Sequence, residues 1–145
     1  MGFVKIWVHV VWTTKNREFL LTRDIRWGIF NHIRENAKKK GIYVDYINGY
    51  VEHVHCLISL GCSQNMDKIL MLLKGESSFW INKTKIFPGK FEWQDEYFAV
   101  SVSESAVNRV RDYIRNQENH HKRTSFNEEY REFISKYKFD AFVSG

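Results

Sequence analysis

The sequence holds one proline and eight glycines in 145 residues, and neither type gathers into a linker or a low-complexity stretch. Its two cysteines, Cys56 and Cys62, are too few for a disulfide framework and lack the spacing of a zinc knuckle. No apolar run approaches the roughly 18 residues that a membrane-crossing helix needs. Nor does the N-terminus combine a charged start, a long apolar run and a small-residue cleavage site. A glycine-rich phosphate loop and a serine nucleophile elbow are both missing. These absences argue against a disulfide-stapled secreted domain, a transmembrane helix and a P-loop enzyme. The expectation is a single intracellular domain spanning residues 1–145, with reduced thiols and no nucleotide cofactor.

What is present is a hydrophobic share of 43% with 16% aromatic, enough to build a core and too much for a disordered chain. The formal net charge is +5, which favours a polyanionic partner because bound phosphates release counterions. Cations cluster at Lys15 and Arg17, at Lys38 to Lys40, at Lys83 and Lys85, and at Arg109, Arg111 and Arg115. Trp12, Trp80, Trp93 and Tyr97 lie near several of them in sequence. Exposed rings can stack on the bases of a single strand while cations follow its backbone; buried rings would simply be core.

The order of elements follows from periodicity. Phe3 to Thr13 is β-branched and aromatic, as in a buried strand, and the turn-like TKNR follows it. Ile25, Ile29, Ile33 and Ala37 recur at helical spacing between Thr22 and Lys40, and Gly41 stands where that helix would stop. Ile42 to Tyr50 and Val54 to Leu60 read as strands, the latter able to begin earlier. Met66 to Ile81 traces a second helix capped by Asn65 or Ser63. Lys83 to Lys90 is a loop, Tyr97 to Val102 a strand, and a third helix runs from about Ala106 to Asn119 with Ser103 as cap. A short helix over Asn127 to Tyr137 ends the pattern. Strand, helix, strand, strand, helix, strand, helix is the α+β ferredoxin-like split βαβ arrangement: an antiparallel sheet with a helix added at the C-terminal end.

Two constellations carry chemistry. His53 and His55 flank Val54 at the start of an apolar strand; residues two apart share a face, so both imidazoles project together and can hold one metal ion, or stand as two surface histidines. Tyr113 and Gln117 lie one helical turn apart. A tyrosine can serve as a covalent nucleophile and a glutamine carbonyl as a hard ligand for magnesium or manganese, or Tyr113 is an ordinary amphipathic position. His9 in its apolar strand reads as a core or structural histidine, His32 as a helix-surface residue, and His120 and His121 as solvated.

With these residues in view, the chain resembles the HUH-type single-tyrosine transposases of small insertion sequences, the family called transposase IS two-hundred-like. The likeness rests on HVVWTTKNREFLL (His9 to Leu21), GYVEHVHCLISL (Gly49 to Leu60), LKGESSFWIN (Leu73 to Asn82) and FEWQDEYFAVSVSESAVNRVRDYIRNQENHH (Phe91 to His121). It extends to about Asp140. One departure stands at Gln94 to Tyr97, where many relatives have a glycine and this chain reads QDEY.

The resemblance implies that His53, His55 and Gln117 bind a divalent metal, Mg2+ or Mn2+, and that Tyr113 is the nucleophile. It implies transesterification on single-stranded DNA through a 5′-phosphotyrosine, with hairpins at the element's ends as the recognised form. It also implies a homodimer joined by sheet pairing, in which one subunit's histidines meet its partner's tyrosine helix, inside a bacterial or archaeal cytoplasm. Lys15, Arg17, Lys74 and Arg115 are candidate DNA contacts. Two other readings compete: an inactive or domesticated nucleic-acid-binding module, and a metal phosphodiesterase that uses water in place of Tyr113.

Overall fold

The computed structural model describes residues 2–137. The part of the resemblance beyond Tyr137, and the ends of the 1–145 domain, lie outside them. Four strands form one antiparallel sheet: β1 (Ile6–Thr14), β2 (Tyr43–Gly49), β3 (His53–Leu60) and β4 (Trp93–Val102), in the spatial order β2-β3-β1-β4. Helices α1 (Arg23–Lys39) and α2 (Met66–Lys83) connect them; α3 (Val107–Arg115), α4 (Gln117–His121) and α5 (Phe126–Tyr137) follow β4. This is the α+β ferredoxin-like arrangement expected from the element order.

Period-two alternation sorts the side chains of β1 and β3 between two faces. Val8, Val10 and Trp12 of β1 join Val54, Cys56 and Ile58 of β3 in one apolar cluster with Ile29, Phe30 and Ile33 of α1 and Ile69, Leu70 and Leu73 of α2. On the opposite face a smaller cluster of Trp7, Leu57, Val107 and Ile114 seats α3. That face also carries His9, Thr13, His53 and His55, all buried, with the apolar Val11 among them. Val54 turns to the core between its two histidines, as the alternation requires.

Local signals act where the sequence placed them. Gly41 takes φ +71° and closes α1 with paired bonds, its N–H to Lys38 O at 3.2 Å and that of Ile42 to Ala37 O at 2.9 Å. Only glycine holds this conformation without strain. Asn65, not Ser63, caps α2 by accepting from Lys68 N at 3.1 Å. Ser103 makes no side-chain cap bond; a short 3-10 turn, Glu104–Ala106, precedes α3 instead. Gly49 ends β2 so close to the chain of His53 that a Cβ there would lie 2.1 Å from His53 O. The absence of a side chain at Gly49 thus lets the hairpin start β3 at the first histidine.

Three expectations need correction. Strand β4 begins at Trp93, four residues before the alternating segment, because Trp93 pairs with Thr14 across a register shift in β1. The third helix does not run unbroken to Asn119. It stops at Arg115, and α4 starts at Gln117 after Asn116, whose ψ is 24°. Asn48 of β2 explains the break: its Nδ2 donates to the carbonyls of Ile114 (2.9 Å) and Arg115 (3.1 Å), which a continuous helix would present to residues 118 and 119. His32 is not a plain surface residue. It pairs with Glu76 and stacks on Trp80 at 4.0 Å between ring centroids.

Candidate active site

The two histidines of β3 are fully buried on the polar face of the sheet, each oriented through its second ring nitrogen. His53 Nδ1 lies 2.6 Å from Glu52 Oε1, and His55 Nδ1 lies 2.8 Å from His9 Nε2. A metal ligand needs its proton on Nδ1, where Glu52 Oε1 and His9 Nε2 stand ready to accept it; without an ion, the two Nε2 atoms face the oxygens of Gln117 and Glu129 as donors. His9 is therefore structural, as its apolar strand suggested, and its structural task is to fix His55.

Gln117 opens α4 and is fully buried, its Oε1 3.0 Å from His53 Nε2 and its Nε2 3.2 Å from the backbone O of Tyr113. Tyr113 sits on α3 with its ring centroid 5.5 Å from that of His55 and 6.0 Å from that of His9. The structure thus brings His53, His55, Tyr113 and Gln117 together within one chain. They meet across a helix break, with the glutamine carried on the next helix rather than on the same one.

Two residues at the site were not read from sequence. His121 was expected to be solvated, yet its side chain is 2% exposed, with Nε2 3.1 Å from Gln117 Oε1. The spacing of four from Gln117 was the available signal, hidden by the polar run around it. Glu129 of α5 is 1% exposed and places Oε1 3.1 Å from His55 Nε2 and 3.6 Å from His53 Nε2. Its Oε2 accepts a hydrogen bond from the Tyr113 hydroxyl. His120 Nε2 is 3.0 Å from the same oxygen but outside hydrogen-bonding geometry. An acid on the buried stripe Phe126, Glu129, Tyr130, Phe133 of α5 was the signal here. Nothing local says what that stripe covers.

The electrostatics follow from burial. His9 and His55 are pushed down to about 3 and about 4, chiefly by desolvation of the charged ring, so both are neutral near pH 7. Burial alone would raise the Glu129 carboxyl; the hydrogen bonds of His121 and His55 and the surrounding imidazoles outweigh it and hold it well below the usual range. Burial, then the charge and hydrogen bond of Glu129, push the Tyr113 hydroxyl up, so the phenol is protonated at rest. A cleft of about 450 Å³ reaches Tyr113 and Glu129 from the side of β4, with Arg109 on its lining.

The donor set could hold a metal ion. Donor atoms of His53, His55, His121 and Glu129 all lie within 4.8 Å of one another, and Gln117 Oε1 stands among them. Adjacent ligands of an octahedral ion with bonds near 2.1 Å stand about 3 Å apart, close to the spacings here. Imidazole donors suit transition metals and the oxygen donors suit harder cations, so the set does not by itself select one metal.

The four candidate DNA contacts are dispersed. Lys15 pairs with Glu92 at 2.9 Å, and Arg115 lies over the Tyr46 ring at 5.5 Å; both stay more than half exposed. Lys74 projects from α2, across the sheet from the histidines, with Nζ 2.6 Å from Gln94 O and 3.0 Å from Asp95 O. Arg17 packs on α5, its guanidinium 5.0 Å from the Phe126 ring centroid and 4.7 Å from that of Tyr130, and it donates to Asn127. Among the described residues no helix is long and apolar enough to cross a membrane.

Comparisons with known proteins place the chain in a family. The chain is 27% identical over 115 residues to the ISDra2 transposase TnpA of Deinococcus radiodurans, covering 75% of this chain and 81% of that protein. A crystal structure from D. radiodurans R1, described as that of a transposase candidate, superposes with a TM-score of 0.64 at 26% identity, over 81% of this chain and 95% of the other. A REP-associated tyrosine transposase bound to a REP hairpin also gives 0.64, over 83% and 71%; at 14% identity that likeness shows the fold alone. The family model described as Transposase IS200 like matches residues 3–117, most of the chain and the whole span from β1 to Gln117. The protein belongs to the IS200-like transposase family.

Proposed function

We propose that this transposase cuts and rejoins single-stranded DNA at the ends of an insertion sequence, with Tyr113 as nucleophile and His53, His55 and Gln117 as ligands of Mg2+ or Mn2+. One observation carries the reading. The Tyr113 ring, both histidine Nε2 atoms and the Gln117 carbonyl oxygen converge on one pocket of the polar face, within a chain of the transposase family. The bound ion supplies charge stabilisation for the phosphate as negative charge develops.

The protein's own residues supply the rest. Tyr113 Oη attacks phosphorus in line; its O–H bond breaks, the bond from phosphorus to the 3′-oxygen breaks, and the proton ends on the released 3′-hydroxyl. The chain is then linked to a 5′-phosphate, and a second DNA 3′-hydroxyl attacks that linkage, joining the strands and returning the proton to Tyr113. Bond energy is conserved in the phosphotyrosine, so no nucleotide cofactor is required. His9 and Glu52 keep the two imidazoles in the ligating tautomer, and Asn48 holds the helix break that sets Tyr113 against Gln117. Hairpin DNA at the element's ends is the proposed substrate, and Lys15 and Arg115 are the proposed backbone contacts. A homodimer is proposed as the working form.

The test is a denaturing protein gel after incubation with single-stranded oligonucleotides tiled across both flanks of the gene, with Mn2+. We expect a slower, nuclease-sensitive band that requires metal and vanishes in Tyr113→Phe and His53→Ala. Cleavage without any adduct would replace this reading by the water-using phosphodiesterase. Binding with neither, on tiles that include the true ends, would replace it by a domesticated binding protein.

A further inference from the structure

We propose that Glu129 is a ligand of the resting metal site, holding in the DNA-free protein the place that an oxygen of the scissile phosphate takes during cleavage. The proposal rests on the metal-site reading above and adds a residue outside the matched segment 3–117.

Placement is the first argument. Glu129 Oε1 sits against the same two nitrogens, His55 Nε2 at 3.1 Å and His53 Nε2 at 3.6 Å, that face the ion position. The opposite nitrogens of those rings are taken by His9 and Glu52, so the carboxylate is not there to orient the histidines. Charge is the second. Two imidazoles and an amide bring no charge to a dication in a buried pocket, and Glu129 provides an anion within ligand range.

The third argument is that a phosphate would need what this carboxylate has. One Glu129 oxygen stands at the ligand nitrogens and the other receives the Tyr113 hydroxyl, as a scissile phosphate must bridge the ion and the nucleophile. Both positions cannot be filled at once, since His53 and His55 are fully buried with Glu129 in place. Helix α5 delivers the residue and is held on the sheet face by its own aromatic side chains and by Arg17. Phe126 stacks on His53 at 4.5 Å, Phe133 meets the edge of His9 at 5.7 Å, and Arg17 clamps Phe126, Asn127 and Tyr130. DNA binding therefore requires α5 to withdraw Glu129, and the ligand exchanges for a phosphate oxygen.

Mn2+ binding to the full-length, DNA-free protein, followed by calorimetry and by the Mn2+ electron paramagnetic resonance signal, tests this directly. Glu129→Gln, which keeps size and loses charge, is expected to weaken Mn2+ by about tenfold or more. Arg17→Ala, which loosens α5 from outside the cluster, is expected to weaken it by about threefold, and it decides the matter if the first variant does not fold. Unchanged affinity in both variants overturns the proposal. A wild type that binds no Mn2+ overturns the metal site itself, an outcome distinct from a wild type that binds and variants that bind equally.

Discussion

Along β1, Val8, Val10 and Trp12 turn to the face covered by α1 and α2, while His9 and Thr13 turn to the face covered by the helices after β4. Along β3 the same alternation sends Val54, Cys56 and Ile58 one way and His53 and His55 the other. Both faces are buried, yet they are held together by different physics. The first is a continuous apolar cluster, in which every side chain gains by leaving water. The second buries five histidines or acids whose stability depends on each finding its partner: His9 on His55, His53 on Glu52, Glu129 on His55 and Tyr113. The face that carries most of the apolar core is thus separate from the face that carries the candidate site.

That separation can be broken from the apolar side first. Phe30, 1% exposed in the core, contributes through burial and an edge contact with Trp27. Phe30→Ala should cost about 3–5 kcal/mol and lower the melting temperature by about 10 °C, while the Mn2+ affinity of the fraction that remains folded at low temperature is unchanged. Thermal melts and calorimetry on the same samples check both halves. A comparable loss of stability with loss of metal binding would mean that the two faces are not separable.

Acidification should break the polar face selectively. His9 and His55 are neutral when folded, held down to about 3 and about 4, whereas in the unfolded chain they take up protons near 6.5. The unfolded state therefore binds more protons below that value, so the stability of the metal-free protein is complete above pH 6.5 and falls as pH drops toward 4. Glu129, held low when folded, adds loss in the same direction below its ordinary value of 4.5. The expected change is on the order of 2–3 kcal/mol for each histidine as an upper bound, read as a falling midpoint in urea between pH 7 and 4.5. A flat profile over that window would contradict neutral burial of the pair.

The smallest effect sharpens the boundary between the faces. Asn48→Ala removes two hydrogen bonds to the carbonyls of Ile114 and Arg115 at the break between α3 and α4. About 1–3 kcal/mol of stability should go with them, and adduct formation should slow further than stability explains, because Tyr113 and Gln117 lose their fixed relation. Conservation of adduct rate per folded molecule would show that the break is incidental to catalysis.

Much of this was legible in the sequence where a short pattern is enough. The alternation of β1 and β3 placed His53 and His55 on one face, helical spacing gave α1 and α2, and Gly41 and Asn65 marked an end and a beginning. Spacing also put Tyr113 near Gln117. What stayed hidden depends on distant partners. The break at Asn116 is imposed by Asn48, a residue 68 positions away on another strand. His121 lies in a polar run that looks solvated until α4 folds it against His53, at 4.5 Å between ring centroids. Glu129 joins the site only because α5 folds back over β1 and β3. Strand β4 starts early because Trp93 buries against Phe91, Trp12 and Ser77, an anchorage that its acidic neighbours Glu92 and Asp95 disguise.

The central claim is that Tyr113 becomes covalently joined to DNA. The most direct test is peptide mass spectrometry after cleavage of a single-stranded substrate with Mn2+, followed by nuclease and protease digestion. The account predicts a nucleotide remnant attached through phosphate to Tyr113 and absent from the Tyr113→Phe protein. Cleaved DNA with a remnant on another residue, or with none on any, would contradict it.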